Sequence, residues 1–237
     1  MAAARRDQWT AAAPVVAAVT VFGVSYGVLA VAAGLPAWLA VLMSMLVFAG
    51  SAQFATVAIL GSGGGAAAAI LSGSLLNSRY LATGAVAARV LQGPRWQRFL
   101  LAQLVVDESF ALAVGAGSPE HPDRRMLVGS GVALWVGWVS GSALGSILGP
   151  VVGDPATFGL DAAFPALFIG LLWPLLRRRD GLVAALAGLV TAMVLLPLTS
   201  GGVALAGAAV AGLATPHRFA RDRGPLGPRS ARETEEG

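Results

Sequence analysis

The sequence predicts an all-α polytopic membrane protein with seven to eight hydrophobic helical segments. Of its 237 residues, 56% are hydrophobic and only 12% are charged, and the mean hydropathy is +0.74. Soluble domains carry about 25% charged residues, so this composition is typical of a chain whose helices cross a bilayer. Several apolar runs also approach the roughly 20 residues that a membrane-spanning helix needs.

Short polar, proline-marked or glycine-rich connections separate the apolar segments. The first three segments are expected near residues 14–34, 37–60 and 66–90, and the fourth near 99–115. The later ones are expected near 126–149, 161–176 and 181–198, with a short eighth segment ending near 214. Residues 1–13 are predicted to be a cytoplasmic N-terminal segment, residues 14–215 the transmembrane domain, and residues 216–237 a disordered cytoplasmic tail.

The composition excludes several classes of chemistry. There is no cysteine, so disulfides, thiolate catalysis and cysteine-based metal sites are excluded. Both histidines, His121 and His217, lie beside proline in polar segments, which argues against a histidine metal centre or a Ser–His dyad within the membrane. We therefore expect no metal and no cofactor. All 16 basic residues are arginines, and all but one of them lie in predicted loops and tails. This distribution is typical of the charges that orient a membrane protein, rather than of a nucleic-acid-binding surface.

The exception is Arg79, near the middle of the apolar run 66–90. At 1.5 Å per helical residue it lies about 16–20 Å from either end, too far for its side chain to reach the membrane surface comfortably. A charge at this depth faces a partner or a water-filled cavity. This stretch therefore indicates a substrate or ion site, with a structural ion pair between helices as the alternative. The polar residues on this arc of the helix are Ser72, Asn77, Arg79, Tyr80 and Thr83.

Three acidic residues accompany this arginine in or beside apolar segments. Asp107 lies four residues after Gln103 and is expected to share a helical face with it, so we predict that Asp107 pairs with Arg79. The adjacent Glu108 points about 100° away on a helix and is predicted to carry a proton. Asp161, beside a predicted helix break, is the second candidate for proton coupling.

A guanidinium, a carboxylate and amide groups in aliphatic surroundings suit a small zwitterion with an apolar side chain. The segment around Gly50 offers further polar groups at membrane depth, either as a helix break or as a small-residue packing face. The predicted substrate-binding residues are Ser51, Gln53, Phe54, Asn77, Arg79, Tyr80, Gln103 and Asp107, and the predicted proton-coupling residues are Glu108 and Asp161.

Segments 5–7 faintly repeat segments 1–3, with Gly27 aligned to Gly137. Interrupted segments in corresponding positions of two halves indicate a transport site at the interface of the repeats. Counting arginines in short loops favours an arrangement with segments 2 and 6 broken or re-entrant and the halves inverted, over one in which every segment spans. Both arrangements place the two termini in the cytoplasm.

Four motifs, in this order and spacing, resemble the signature segments of the AzlC family, the large subunits of bacterial branched-chain amino-acid exporters of the AzlC/BrnF type. The resemblance covers about residues 22–213. It implies a permease of the bacterial inner (plasma) membrane that works by secondary transport and assembles with a small AzlD-type membrane subunit. The motifs are Ser51-Ala-Gln-Phe54, Asn77-Ser-Arg-Tyr80, Asp107-Glu-Ser-Phe-Ala-Leu112 and Asp161-Ala-Ala-Phe-Pro-Ala-Leu-Phe168.

The functional expectation is therefore a permease that exports branched-chain amino acids and is driven by an ion gradient, with the bilayer, the substrate and the small subunit as partners. The glycine- and serine-rich faces of segments 5 and 7 are expected to pack against that subunit. Two alternatives stay open: a permease or channel for another small solute, and a membrane-embedded enzyme that uses Asp107 and Glu108. The absence of cysteine and of intramembrane histidine argues against the enzyme.

Overall fold

The computed structural model describes residues 2–152, 179–199 and 201–215, together with residues 169, 173, 176 and 177. This part of the chain contains helices and turns and no β-strand, which confirms the predicted all-α membrane fold. Its ten helices are α1 (Ala2–Ala32), α2 (Ala37–Leu46), α3 (Gly50–Gly61), α4 (Ala66–Asn77), α5 (Tyr80–Ala87), α6 (Arg95–Ala102), α7 (Asp107–Ala116), α8 (Arg124–Val152), α9 (Arg179–Leu195) and α10 (Gly201–Ala214).

Among the described helices, two are long and apolar enough to cross a membrane unaided. They are α1, through its part Ala12–Ala32, and α8, through Arg124–Val151. Helices α6 and α7 meet at a bend of 105° and together can form a third, broken span. Helix α1 begins at Ala2, well before the predicted start at residue 14. The predicted segment 6, with Asp161, and the tail 216–237 lie outside the described residues.

Glycines allow α1 and α8 to pack backbone against backbone, and this pair forms the centre of the described fold. A Cβ atom on Gly23 would lie 2.7 Å from the carbonyl oxygen of Trp138, and one on Gly27 would lie 2.6 Å from the backbone nitrogen of Ser146. Gly141 of α8 faces α1 in the same way. The glycine face of segment 5, expected to meet a partner subunit, is therefore used within the chain, as small-residue interfaces between membrane helices are.

The predicted segments 2, 3 and 4 are each divided into two helices. Segment 2 breaks between α2 and α3, where Phe48 has φ +41°, a left-handed conformation that is unfavourable for a bulky side chain. Segment 3 tightens between α4 and α5, where the amide of Leu81 bonds to the carbonyl of Ser78 three residues back, a 3₁₀-type bond. Segment 4 breaks between α6 and α7. The prediction that Gln103 and Asp107 share one face of a single helix is therefore wrong.

Side chains from other helices satisfy the carbonyl groups that the break in segment 2 leaves free. Trp135 Nε1 donates to the carbonyl of Met45 at 3.1 Å, and Gln103 Nε2 donates to the carbonyl of Leu46 at 2.6 Å. The last carbonyls of a helix have no partner within it, so these two bonds stabilise the end of α2 inside the membrane. At the break in segment 4, the amide of Val106 donates to Ser109 Oγ at 3.0 Å and caps the start of α7.

We predict that Gly27→Ala destabilises the protein by about 1–3 kcal/mol, because the added methyl group forces the α1 and α8 backbones apart. The matched control is Gly115→Ala. A Cβ atom there meets nothing within 4 Å, so the greater helix propensity of alanine should leave stability unchanged or raised. Thermal unfolding of both purified variants in one detergent measures the difference. Equal melting temperatures would contradict the close packing of α1 and α8.

Candidate functional site

Arg79 joins three of the interrupted segments. Its Nη2 atom lies 3.0 Å from Asp107 Oδ2, at the first residue of α7. The same nitrogen donates to Ser51 Oγ of α3 at 2.9 Å and to the hydroxyl of Tyr80 at 3.2 Å. The guanidinium carbon also lies 5.1 Å from the centre of the Tyr80 ring, within the range of a cation–π contact. The polar site is thus built where α3 begins, where α4 gives way to α5, and where α7 begins.

The Arg79 guanidinium retains a buried donor that the described part of the protein does not use. Its Nε atom is buried and has no hydrogen-bond partner among the described residues. A buried N–H group without a partner is costly, about 1–3 kcal/mol, so such a donor is suited to a ligand that can accept from it. Asn77 Oδ1, two residues earlier in the chain, is also buried and has no partner among the described residues. Among the described residues, the hydroxyls of Ser72 and Ser146 are the other buried side-chain groups without a hydrogen-bond partner.

Both acidic residues of the site occupy the first turn of α7. The partial positive charge of a helix N-terminus stabilises carboxylates there. The Asp107 carboxylate forms the ion pair with Arg79, and within the described part of the chain this is the one salt bridge. Glu108 lines the same cavity without an ion-pair partner in that part of the chain. The local formal charge is therefore zero when Glu108 is protonated and negative when it is ionised.

These groups line a cavity of about 50 Å³. Aromatic and aliphatic side chains form the rest of its wall, namely Val19, Phe22, Phe48, Val106, Leu134 and Trp138, and the polar or small residues are Gly50, Ser51, Arg79, Tyr80, Asp107 and Glu108. One water molecule needs about 10–15 Å³ on this measure, so the cavity has room for a few waters. Sites for small molecules measure roughly 300–1,000 Å³. The cavity is therefore small in this conformation, although the Arg79 and Asp107 side chains stay 35% and 30% exposed.

Gln53 lies behind the cavity wall rather than in it. It is fully buried and accepts a hydrogen bond from Trp138 Nε1 at 3.0 Å. Its Nε2 atom donates to Ser44 Oγ at 3.1 Å, and Ser44 in turn donates to Ser142 Oγ at 2.8 Å. This satisfied network ties α2, α3 and α8 together. Because Trp138 lines the cavity, Gln53 positions one of its walls.

Phe54 lies in the same layer as Gln53. Its ring packs edge-on against Tyr26 at 5.9 Å and against Trp138 at 6.1 Å, and the Tyr26 and Trp138 rings stack at 5.7 Å. Such aromatic pairs add about 0.5–1.5 kcal/mol each beyond the area that they bury. The cluster fixes the orientation of the Trp138 ring next to the cavity.

Five of the predicted site residues line one cavity: Ser51, Arg79, Tyr80, Asp107 and Glu108. Asn77 does not line this cavity, Gln53 and Phe54 support its wall, and Gln103 binds the end of α2. Asp161 lies outside the described residues. The apolar wall residues Phe48, Leu134 and Trp138 were not predicted, because nothing in an apolar membrane sequence distinguishes a cavity wall from ordinary packing.

Comparison with known proteins finds relatives along most of the chain. An uncharacterized membrane protein of Archaeoglobus fulgidus is 33% identical over 84% of this chain and 90% of its own length. The branched-chain amino acid transport protein AzlC of Bacillus subtilis is 28% identical over 79% of this chain and 74% of its own. The inner membrane protein YgaZ of Escherichia coli is 27% identical over 85% of both chains. No solved structure matches.

The family model described as "AzlC protein" matches residues 14–152. This match covers more than half of the chain and includes the whole of the Arg79 cavity, from Val19 to Trp138. The predicted family resemblance is confirmed, with three of the four motifs inside the matched residues: the chain belongs to the AzlC family of membrane proteins.

Proposed function

We propose that this protein is a secondary-transport permease that exports branched-chain, small apolar amino acids across the bacterial plasma membrane. The observation that carries the proposal is the Arg79–Asp107–Glu108 cluster, which opens into a cavity whose remaining wall is apolar and aromatic. A zwitterion with a hydrocarbon side chain is the ligand that such a surface complements. The Bacillus subtilis relative is named as a branched-chain amino acid transport protein, which supports the same substrate class.

In this proposal the substrate carboxylate binds at Arg79 and the start of α3. The free Nε atom of Arg79 and the hydroxyl of Ser51 both point to this role. The first N–H groups of a helix have no partner within it and favour an anion, and α3 begins at Gly50, which lines the cavity. The substrate ammonium then faces the carboxylates of Asp107 and Glu108.

The apolar wall accounts for the preference for hydrocarbon side chains. Val106, Leu134 and Trp138 line the cavity together with the charged groups. Each buried CH₂ group is worth about 0.8 kcal/mol, so valine, leucine or isoleucine gains more from such a wall than glycine or alanine. The present volume of about 50 Å³ requires the cavity to expand when the substrate enters.

Proton coupling is assigned to Glu108 in this proposal. Asp107 is committed to Arg79, whereas Glu108 faces the cavity without an ion pair among the described residues. Asp161 stays the second candidate for this role. The proposals that transport runs outward and that the protein assembles with a small AzlD-type subunit rest on the family resemblance. A permease or channel for another small polar solute is the alternative, and catalysis has no support from the chemistry of this cavity.

We predict that Arg79→Lys reduces valine transport by about 10- to 100-fold. Lysine keeps the charge but loses the Nε donor and the planar fork, and hydrogen bonds to charged groups are worth about 1.5–3 kcal/mol. The measurement is exchange of radiolabelled valine in proteoliposomes that contain the protein with its small subunit. The control is Arg89→Lys, an exposed arginine outside the cavity. Wild-type exchange by the Arg79→Lys variant would contradict a substrate role for this residue.

We predict that Glu108→Gln separates exchange from proton-driven transport. Glutamine imitates the protonated acid, so exchange at equal pH should persist, whereas net flux driven by a pH gradient should fall to background. Asp107→Asn should instead weaken both activities, because it leaves the Arg79 guanidinium unpaired. Both assays are run on both variants in the same vesicles. Normal pH-driven flux by Glu108→Gln would exclude Glu108 as the proton carrier and make Asp161→Asn the next variant to test.

A further inference from the structure

A second, larger cavity lies next to the first, between α5 and α6. Its volume is about 370 Å³, within the range of roughly 300–1,000 Å³ found for small-molecule sites. Ten residues line it: Tyr80, Gly84, Ala87, Ala88, Leu91, Arg95, Arg98, Phe99, Ala102 and Val105. We call it the outer cavity, and the cavity around Arg79 the inner cavity.

The outer cavity combines two cations with an apolar floor. Arg95 and Arg98 are three residues apart on α6 and therefore lie on one face of it. Neither arginine forms a salt bridge with any other residue that the structure describes. Gly84 leaves open space, since a Cβ atom there meets nothing within 4 Å. Two unpaired guanidinium groups beside an apolar surface suit a carboxylate with a hydrocarbon tail.

Tyr80 is the residue common to the two cavities. Its ring packs against the Arg79 guanidinium, and its hydroxyl accepts a hydrogen bond from Arg79 Nη2 at 3.2 Å. That nitrogen carries two hydrogens but has three acceptors, namely Tyr80, Ser51 and Asp107. A carboxylate that binds the free Nε and Nη2 together therefore competes with the longest of these contacts, the one to Tyr80. Substrate binding and release of the Tyr80 side chain are coupled through one nitrogen atom.

We infer that the outer cavity is a second binding station for the amino acid, in which Arg95 and Arg98 hold its carboxylate, and that Tyr80 is the barrier between this station and the inner cavity. The inference rests on the proposed function and extends it to a site outside the Arg79 cluster. The difference in volume supports it. The outer cavity, where Arg95 and Arg98 are exposed, has the volume of a small-molecule site, whereas the inner cavity, at about 50 Å³, is smaller than such sites.

The absence of native cysteine makes this inference testable by site-directed labelling. Gly84→Cys places one thiol in the outer cavity, and Gly115→Cys places one where a side chain also meets no neighbour but which lines neither the outer nor the inner cavity. The small subunit is used in a cysteine-free form. Each variant is reconstituted in nanodiscs of phosphatidylcholine and treated with a water-soluble methanethiosulfonate reagent, with and without saturating valine. Valine exchange by the same variants is measured in vesicles.

The inference predicts that valine slows labelling of Gly84→Cys at least fivefold and leaves labelling of Gly115→Cys unchanged. In a Gly84→Cys background, Arg95→Gln with Arg98→Gln should abolish protection at the same valine concentration, whereas Arg89→Gln should retain it. Arg89 is an exposed arginine of the same connection that does not line the cavity. In a Ser51→Cys background, the further substitution Tyr80→Ala should remove the barrier and speed labelling of the thiol by the reagent.

Several results would overturn the inference. If Gly84→Cys does not react, or reacts equally fast with and without valine while valine exchange proceeds, the outer station does not exist but the proposed function stands. If phosphatidylglycerol rather than valine protects the thiol, the two arginines bind lipid headgroups instead. If the wild-type protein exchanges no amino acid at all, the proposed function and this inference fall together.

Discussion

A guanidinium group at membrane depth must be matched by a carboxylate, and the contact between Arg79 and Asp107 at 3.0 Å meets this requirement. Both partners occupy helix interruptions, where main-chain groups are available and a side chain can point along the helix axis. The start of α7 further stabilises the carboxylate. The third contact, to Ser51, brings the start of α3 to the same point. One ion pair thereby determines where three broken segments meet.

The sequence was sufficient to predict the membrane class and the polar residues of the site, whereas it did not predict where the helices break. Arg79 and Asp107 stand out because a charge within an apolar run has few acceptable surroundings, and the structure pairs them. The reason given for that pairing, a shared helical face with Gln103, does not apply, because the helix breaks at residues 103–106. Gln103 instead donates to the carbonyl of Leu46. No local pattern marks such a long-range bond, because it depends on which helix ends are brought together.

The supporting layer was equally hidden from the sequence. Gln53 has the signature of a ligand-binding amide at membrane depth, yet Trp138, Ser44 and the backbone of Ala49 satisfy its hydrogen bonds. Phe48 shows why the break in segment 2 is hard to predict. A bulky residue at φ +41° is locally unfavourable and persists only where tertiary contacts compensate. Here those contacts include the bonds from Trp135 and Gln103 that stabilise the end of α2.

Charge balance links the cluster to the proposed transport cycle. Arg79 and Asp107 cancel, and an amino acid enters as a zwitterion, so binding it does not change the net charge of the inner cavity. Glu108 alone decides whether that sum is zero or negative. Enclosing a net charge in an apolar wall costs far more than enclosing matched groups. A cavity that closes readily only when Glu108 is protonated would couple each turnover to one proton. The cluster then needs only one unpaired acid, because the charges of the Arg79–Asp107 ion pair beside it cancel.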